Sequence, residues 1–274
     1  MTLSRPRVRG LLDGFGLTPS RALGQNFVTD PNTVRRIVAE SGVAPGERVL
    51  EVGPGLGSLT LALVERGCSV VAVEMDRHLI PALREVLAEA GAEVELINAD
   101  AMQVDLRSLG APLAMVANLP YNVAVPIVLR LAEDLPSLRS MTALVQREVA
   151  DRLAAAPGSK TYGAPSLAVA WWGTARVTSK VPASVFMPKP RVDSAVVRID
   201  RHDPAPAWHA SCSRERFELV VRAAFAQRRK MLRSSLRGVV GTAAFAHAGL
   251  SGDERAEQLD AATFAALAGY PSPS

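Results

Sequence analysis

Four consecutive residues, Asn118-Leu119-Pro120-Tyr121, carry the pieces needed to work on a planar amine. An amine attached to an aromatic base is a poor nucleophile because its lone pair is delocalised into the ring. Two acceptors, the Asn118 side-chain carbonyl and the Leu119 backbone carbonyl, can take both of its N–H groups and draw the nitrogen toward tetrahedral geometry. Pro120 has no N–H and a fixed φ, which stiffens the loop. Tyr121 offers a flat face on which a base can stack. No ionised base is required, because an alkylated amine of this kind becomes acidic and loses its proton to water. The chemistry is then in-line displacement driven by positioning and electrostatics. Asn-x-Pro is also a common turn, so its meaning depends on what precedes it.

Three further elements precede it. Glu51-Val52-Gly53-Pro54-Gly55-Leu56-Gly57 is a glycine-rich turn, in which Gly53 and Gly55 let a ligand approach the backbone. Such turns serve NAD, FAD and S-adenosylmethionine. The third glycine comes one position too early for Gly-x-Gly-x-x-Gly, which lowers the dinucleotide reading. Glu74 stands 21 residues after Gly53 and can accept from the hydroxyls of a ribose, a feature shared by NAD and S-adenosylmethionine. Asp100 can accept from the amino group of a cofactor's adenine, which favours S-adenosylmethionine. A nicotinamide oxidoreductase also lacks an evident His or Tyr-Lys proton donor here.

The elements that must hold these residues alternate. Pro31 to Ser41, Leu59 to Arg66 and Leu79 to Ala90 read as helices. Arg48 to Val52, Ser69 to Glu74, Glu93 to Ile97, Leu113 to Ala117, Met141 to Gln146, Leu167 to Trp172 and Ser194 to Ile199 read as strands. The expected fold class is α/β: a Rossmann-like class I methyltransferase sheet of about seven strands, mostly parallel, with an antiparallel edge from the last two. The glycine turn, Glu74, Asp100 and the Asn118 loop then fall at successive strand ends and converge on one crevice. Beyond Asp203-Pro204-Ala205-Pro206 the strand signal stops, and Arg214 to Gln227, Lys230 to Val239 and Arg255 to Ala268 read as helices. We therefore expect a methyltransferase domain over 1–203, opening with a basic arm, and a small helical RNA-binding domain over 204–274.

Composition narrows the class. Apolar residues are 48% and charged residues 21% of the 274, which is ordinary for a globular protein. No apolar run reaches the roughly 18 residues of a membrane span, and the first residues lack the apolar stretch of a secretory signal. The expectation is a cytoplasmic protein with no membrane partner. Cys68 and Cys212 are far apart with no nearby Cys/His pattern, which argues against disulfides and structural metal. The net charge of +4 is unevenly spread: +3 over 1–21, −3 over 22–185, +7 over 186–240 and −3 over 241–274. Basic flanks around a mildly acidic body suit a small-molecule site bordered by a surface for phosphates.

Taken together, these motifs resemble the ribosomal RNA small-subunit adenine N6,N6-dimethyltransferases. The resemblance begins at Leu23-Gly24-Gln25-Asn26-Phe27-Val28 and runs through the glycine turn, Glu74, Asp100, Asn118-Leu119-Pro120-Tyr121 and Gln146-Arg147-Glu148-Val149. It resumes over 182–194, from Pro182-Ala183-Ser184-Val185-Phe186, and closes over 225–236 with Gln227-Arg228-Arg229-Lys230 at its centre. It implies S-adenosylmethionine as methyl donor with no metal, and transfer of methyl groups to two adjacent adenosines near the 3′ end of small-subunit rRNA. The substrate would be the immature small ribosomal subunit, and the enzyme a monomer. It also implies that Asn26 and Val28 join Gly53, Gly55, Glu74, Asp100 and Asn118 around the cofactor. Phe186 would sandwich the target adenine against Tyr121, after that base is unstacked. Arg228, Arg229, Lys230 and Arg233 would meet rRNA phosphates. Two related readings share most of these motifs: a 23S rRNA adenine methyltransferase conferring antibiotic resistance, and a non-catalytic assembly or transcription factor.

Overall fold

A computed structural model describes residues 2–271 of the chain. Its elements, in chain order, are α1 (Arg5–Gly14), β1 (Phe27–Val28), α2 (Pro31–Ser41), β2 (Arg48–Val52), α3 (Ser58–Glu65), β3 (Ser69–Glu74), α4 (Ile80–Glu89) and β4 (Val94–Asn98). There follow β5 (Ala114–Asn118), α5 (Ala124–Asp134), β6 (Ser140–Gln146), α6 (Arg147–Leu153), α7 (Ala164–Trp172), β7 (Gly173–Val181), β8 (Phe186–Met187) and β9 (Ser194–Arg201). The last are α8 (Arg214–Ala226), α9 (Leu232–Ser235), α10 (Thr242–His247) and α11 (Ala261–Gly269).

Among the described residues, seven strands form one sheet in the order β4-β3-β2-β5-β6-β9-β7. The pairs β2·β3, β2·β5, β3·β4 and β5·β6 are parallel, while β9 runs antiparallel to β6. Parallel neighbours must be joined by crossovers, and the helices of those crossovers cover the sheet. That is why Val70, Val71, Ala72 and Val73 are all buried although they are consecutive. Each fully buried Val contributes about 1.5–3 kcal/mol. One apolar cluster packs Val34, Ile37 and Val38 of α2 and Leu59 and Leu63 of α3 against the sheet. A second gathers Val8 and Leu11 of α1 with Ala82, Leu83 and Val86 of α4.

The chain folds into two compact units. One takes the chain as far as Ala150 and again Arg176–Asp200; the other takes Asp151–Ala175 and everything from Arg201. The single boundary after 203 expected from the sequence is therefore a triple crossing, with the stretch 151–175 contributing to the second unit. That unit has its own core, which includes Tyr162, Leu167, Phe217, Val220, Leu232, Phe264 and Leu267.

Four local expectations are corrected. Leu167 to Trp172 is not a strand but part of α7, which starts after Gly163 with a proline in its first turn. A continuous apolar run has no periodicity with which to separate a buried strand from a buried helix. The strand lies just beyond, in β7, whose exposed Thr174 and polar residues gave no buried-strand pattern. Lys230 to Val239 holds only the single-turn α9. In place of one helix over Arg255 to Ala268, a 3-10 turn (Ala256–Gln258) precedes α11, which Asp260 caps by accepting from the Thr263 N–H at 2.9 Å. Finally, the basic N-terminal arm is largely a helix: Arg7 of α1 pairs with Glu89 at 2.6 Å, and Arg5 donates to the carbonyls of Ser184 and Phe186.

Candidate active site

At the C-terminal edge of the parallel strands lies a cavity of about 330 Å³. Its lining includes Asn26, Val28, Gly53, Gly55, Glu74, Asp100, Asn118, Leu119, Pro120 and Tyr121. This is where side chains from parallel strands must converge, because each strand in turn ends on the same edge.

The turn after β2 needs glycine for steric reasons. Gly55 has φ of 59°, and a Cβ there would stand 3.0 Å from the Phe27 ring. Gly57, at φ 92°, is the residue from which α3 starts, and its Cβ would stand 2.8 Å from Leu83 Cδ1. A side chain at either position would strain the backbone and push into packed neighbours.

Glu74, the last residue of β3, reaches back to this turn. One carboxylate oxygen accepts from the Gly55 N–H at 3.0 Å and the other from the Asp76 N–H at 2.8 Å. The side chain is buried, and burial raises its pKa against the opposing effect of those N–H groups. Asp100 stands past the end of β4 and accepts from the Met102 N–H at 2.8 Å, closing an Asx turn. The Arg130 guanidinium on α5 ties the same loop down by donating to the Val104 carbonyl at 2.7 Å and to the Ala101 carbonyl.

Asn118 ends β5. Its Nδ2 donates to the Asn26 carbonyl at 2.9 Å. A backbone carbonyl only accepts, so this bond fixes the amide with its NH₂ toward Asn26 and leaves Oδ1 as an acceptor for something else. The Leu119 N–H is held by the Leu144 carbonyl at 3.1 Å. Tyr121 shares a 2.7 Å hydrogen bond with Ser194, a fully buried residue at the start of β9. Burial raises the Tyr121 pKa, against the opposing Ser194 hydrogen bond, so the phenol stays neutral at ordinary pH.

The antiparallel pair β1·β8 sets Val28 opposite Phe186. The resemblance assigns Phe186 to the face of the target adenine opposite Tyr121. Phe186 is wholly buried, belongs to the apolar cluster that includes Val28, Val181 and Val196, and does not line the cavity. The β1·β8 pairing sets it in that cluster beside Val28.

Arg228, Arg229, Lys230 and Arg233 belong to the second unit. The first three lie in a turn after α8 rather than on a helix. Arg228 pairs with Glu257 at 2.8 Å and donates to the Lys160 carbonyl at 2.8 Å, and Arg233 pairs with Asp253. Arg229 and Lys230 are exposed.

One cavity residue was missed as a site residue. Glu51, the next-to-last residue of β2, is fully buried, and neither carboxyl oxygen has a hydrogen-bond partner among the described residues. An acid following the apolar Val49 and Leu50 in a double-covered strand was the available signal. With Glu51, the described lining holds three carboxyl groups and no Lys, Arg or His. A cavity of this character fits a small, partly apolar cation and gives no ion-pair partner to a pyrophosphate. Among the described residues no group of acidic, His or Cys side chains has the arrangement of a metal site, and no helix is long and apolar enough to cross a membrane.

Known proteins match this chain over most of its length. Residues 17–270 match the family model of ribosomal RNA adenine dimethylases. The chain is 49% identical over 276 aligned residues to the ribosomal RNA small subunit methyltransferase A of Rhodococcus opacus (strain B4), covering 97% of this chain and 93% of that protein. A dimethyladenosine transferase from Plasmodium falciparum, at 20% identity, superposes with a TM-score of 0.77 over 88% of this chain and 95% of its own. The 23S rRNA methyltransferase ErmE superposes with a TM-score of 0.69 at 28% identity, covering 88% and 98% of the two chains.

Proposed function

Because the chain belongs to the ribosomal RNA adenine dimethylase family, class I methyltransferases that use S-adenosylmethionine, we propose that it dimethylates N6 of two adjacent adenosines near the 3′ end of 16S rRNA. The observation that carries this reading is the orientation of Asn118, whose NH₂ is occupied by Asn26 and whose Oδ1 remains for a donor.

S-adenosylmethionine supplies an activated methyl group on a sulfonium. The protein's own residues do the rest. Gly53 and Gly55 allow close approach, Glu74 has lone pairs beyond those used by Gly55 and Asp76 for ribose hydroxyls, and Asp100, in the same cavity lining, accepts from the adenine amino group. Asn26, just before β1, and Val28 within it line the same cavity. Asn118 Oδ1 and the Leu119 carbonyl accept from the N6 amine of the substrate and bring its lone pair into line. Tyr121, anchored at its hydroxyl by Ser194, presents its face to the unstacked base. The proton leaves to water after methyl transfer, so no side chain need act as base. The stretch that includes Arg229 and Lys230 supplies phosphate contacts from the second unit, which we take as the RNA-binding module.

The high identity to small-subunit enzymes over nearly the whole chain supports the immature small subunit as substrate, met by a monomeric enzyme in the cytoplasm. Incubation with labelled S-adenosylmethionine and undermethylated small subunits, followed by mapping of the modified nucleotides, tests it. The expected products are two adjacent N6,N6-dimethyladenosines. Absence of transfer, or transfer to the large subunit alone, would overturn the proposal.

A further inference from the structure

Of the three carboxyl groups in the cavity lining, two are engaged. Glu74 accepts from two backbone N–H groups and Asp100 from one. Glu51 is different: no part of it is exposed, and both oxygens lack a partner. Among the described residues the only compensation comes from Thr60, whose hydroxyl and backbone N–H favour the ionised form without closing a full hydrogen bond. From β3 comes Glu74, a second acid, and from α3 the hydroxyl and N–H of Thr60; the rest of the cavity lining, Val34 and Ile37 of α2, Leu59 of α3 and Asn118 of β5 among it, carries no positive charge. An ionised carboxylate would lose its hydration here for little in return beyond Thr60, and a neighbouring carboxylate makes that worse. Burial, opposed by Thr60 and reinforced by Glu74, raises the Glu51 carboxyl to about 8.

We propose that Glu51 is a cofactor-binding residue that holds a proton in the empty enzyme and releases it to solvent when the cationic methyl donor enters the cavity. This rests on the reading of the cavity as the S-adenosylmethionine site. The donor brings a sulfonium and an ammonium against a single carboxylate, so it adds positive charge to a space that has only acids. A cation near a carboxyl favours its ionised form. The proton's departure balances the charge change: neutral acid plus cation becomes carboxylate plus cation, with H⁺ passed to buffer.

Two consequences follow for pH. Between the ordinary and the raised ionisation of Glu51, the loaded protein binds fewer protons than the empty one, so affinity rises with pH through neutrality and levels off above about 8. For the empty protein the sign is opposite. Its folded-state value lies above the unfolded one, so the contribution to stability is fully present below about 4.5 and is lost as pH rises through about 8.

Calorimetric titration of S-adenosylmethionine into the full-length protein at pH 7, in phosphate and in Tris, reads the proton count from the dependence of the heat on buffer ionisation. We expect release of close to one proton by the wild type, none by Glu51→Gln, and a wild-type Kd that tightens by up to about tenfold per pH unit below pH 8. Binding with no buffer dependence in the wild type, or the same release from a folded Glu51→Gln, overturns the role of Glu51 while leaving the cofactor site standing. Absence of binding in any buffer overturns both. Thermal melts of the empty protein give an independent reading: the fall in Tm from pH 7 to 9 should be steeper in the wild type than in Glu51→Gln, and equal slopes would count against a protonated Glu51.

Discussion

Glu74 and Asp100 at the ends of β3 and β4, and the basic residues after α8, were all read from short motifs, yet they stand differently in the structure. The carboxylates are held in place by backbone N–H groups and line a formed cavity. Among the basic residues, Arg228 and Arg233 are tied to Glu257 and Asp253 in their own unit, and Arg229 and Lys230 stand in solvent. A small-molecule site at strand ends is fixed by the sheet that also makes the core. A surface for a polyanion needs only accessible charge, and its geometry is completed by the partner. Phe186 sits on the line between these cases: predicted to meet substrate, it is found in the core.

That position gives the largest expected effect. Phe186→Ala should cost about 3–5 kcal/mol of stability, read as a fall in the denaturation midpoint, because a fully buried ring is replaced by a void. Phe186→Leu fills most of the space and removes only the flat face. Turnover close to that of the wild type in Phe186→Leu would leave the ring in the core. A turnover collapse with an unchanged melt would return it to the substrate side.

Asn118→Ala comes next. Removing one preorganised hydrogen-bonding group should lower kcat by roughly 10²–10³-fold. Because Nδ2 also anchors the Asn26 carbonyl, some loss of donor affinity should accompany it. Near-normal kcat would take Asn118 out of the chemistry and make the loop a plain turn.

These two residues show what the sequence could reveal. Asn118, Glu74, Asp100 and the glycines were legible because parallel strands end on one edge, so spacing along the chain translates directly into proximity. The α7 stretch was misread because Leu167 to Trp172 is apolar throughout and buried in either form. The turn at 227–230 was expected to lead into a long helix, but Met231 bridges Arg255 and leaves room only for α9. Inward or outward placement of Phe186 depends on β1·β8, a pairing of two residues with two that no local pattern announces. Glu51 was visible in the motif, but its lack of partners is a property of the packed state alone.

Glu74→Gln should have a smaller effect. Its carboxylate serves two backbone N–H groups, and an amide can serve only one of them. The orphaned N–H costs about 1–3 kcal/mol, and donor affinity measured by calorimetry should fall by about 10- to 100-fold. An unchanged Kd would show that the glycine turn holds its shape without Glu74.

The smallest effects should come from the exposed side of the comparison, where they are also the most diagnostic. Arg229 and Lys230 are exposed, so Arg229→Ala with Lys230→Ala should leave the melting temperature unchanged. If each neutralises a phosphate, RNA affinity should fall a few-fold, and the slope of log K against log salt should become shallower by roughly 0.7–0.9 per residue. Arg228→Ala should behave in the opposite way. Its guanidinium joins Glu257 to the carbonyls of Ser159 and Lys160, so its loss should lower the melt and leave Glu257 without its partner. It should change the salt slope little, because a charge already paired within the protein displaces few counterions from RNA. A change in slope for Arg228→Ala as large, per residue, as for the double variant would mean that the ion pair with Glu257 opens when RNA binds. The basic segment would then be remodelled by its substrate, while the carboxylate site keeps one arrangement throughout.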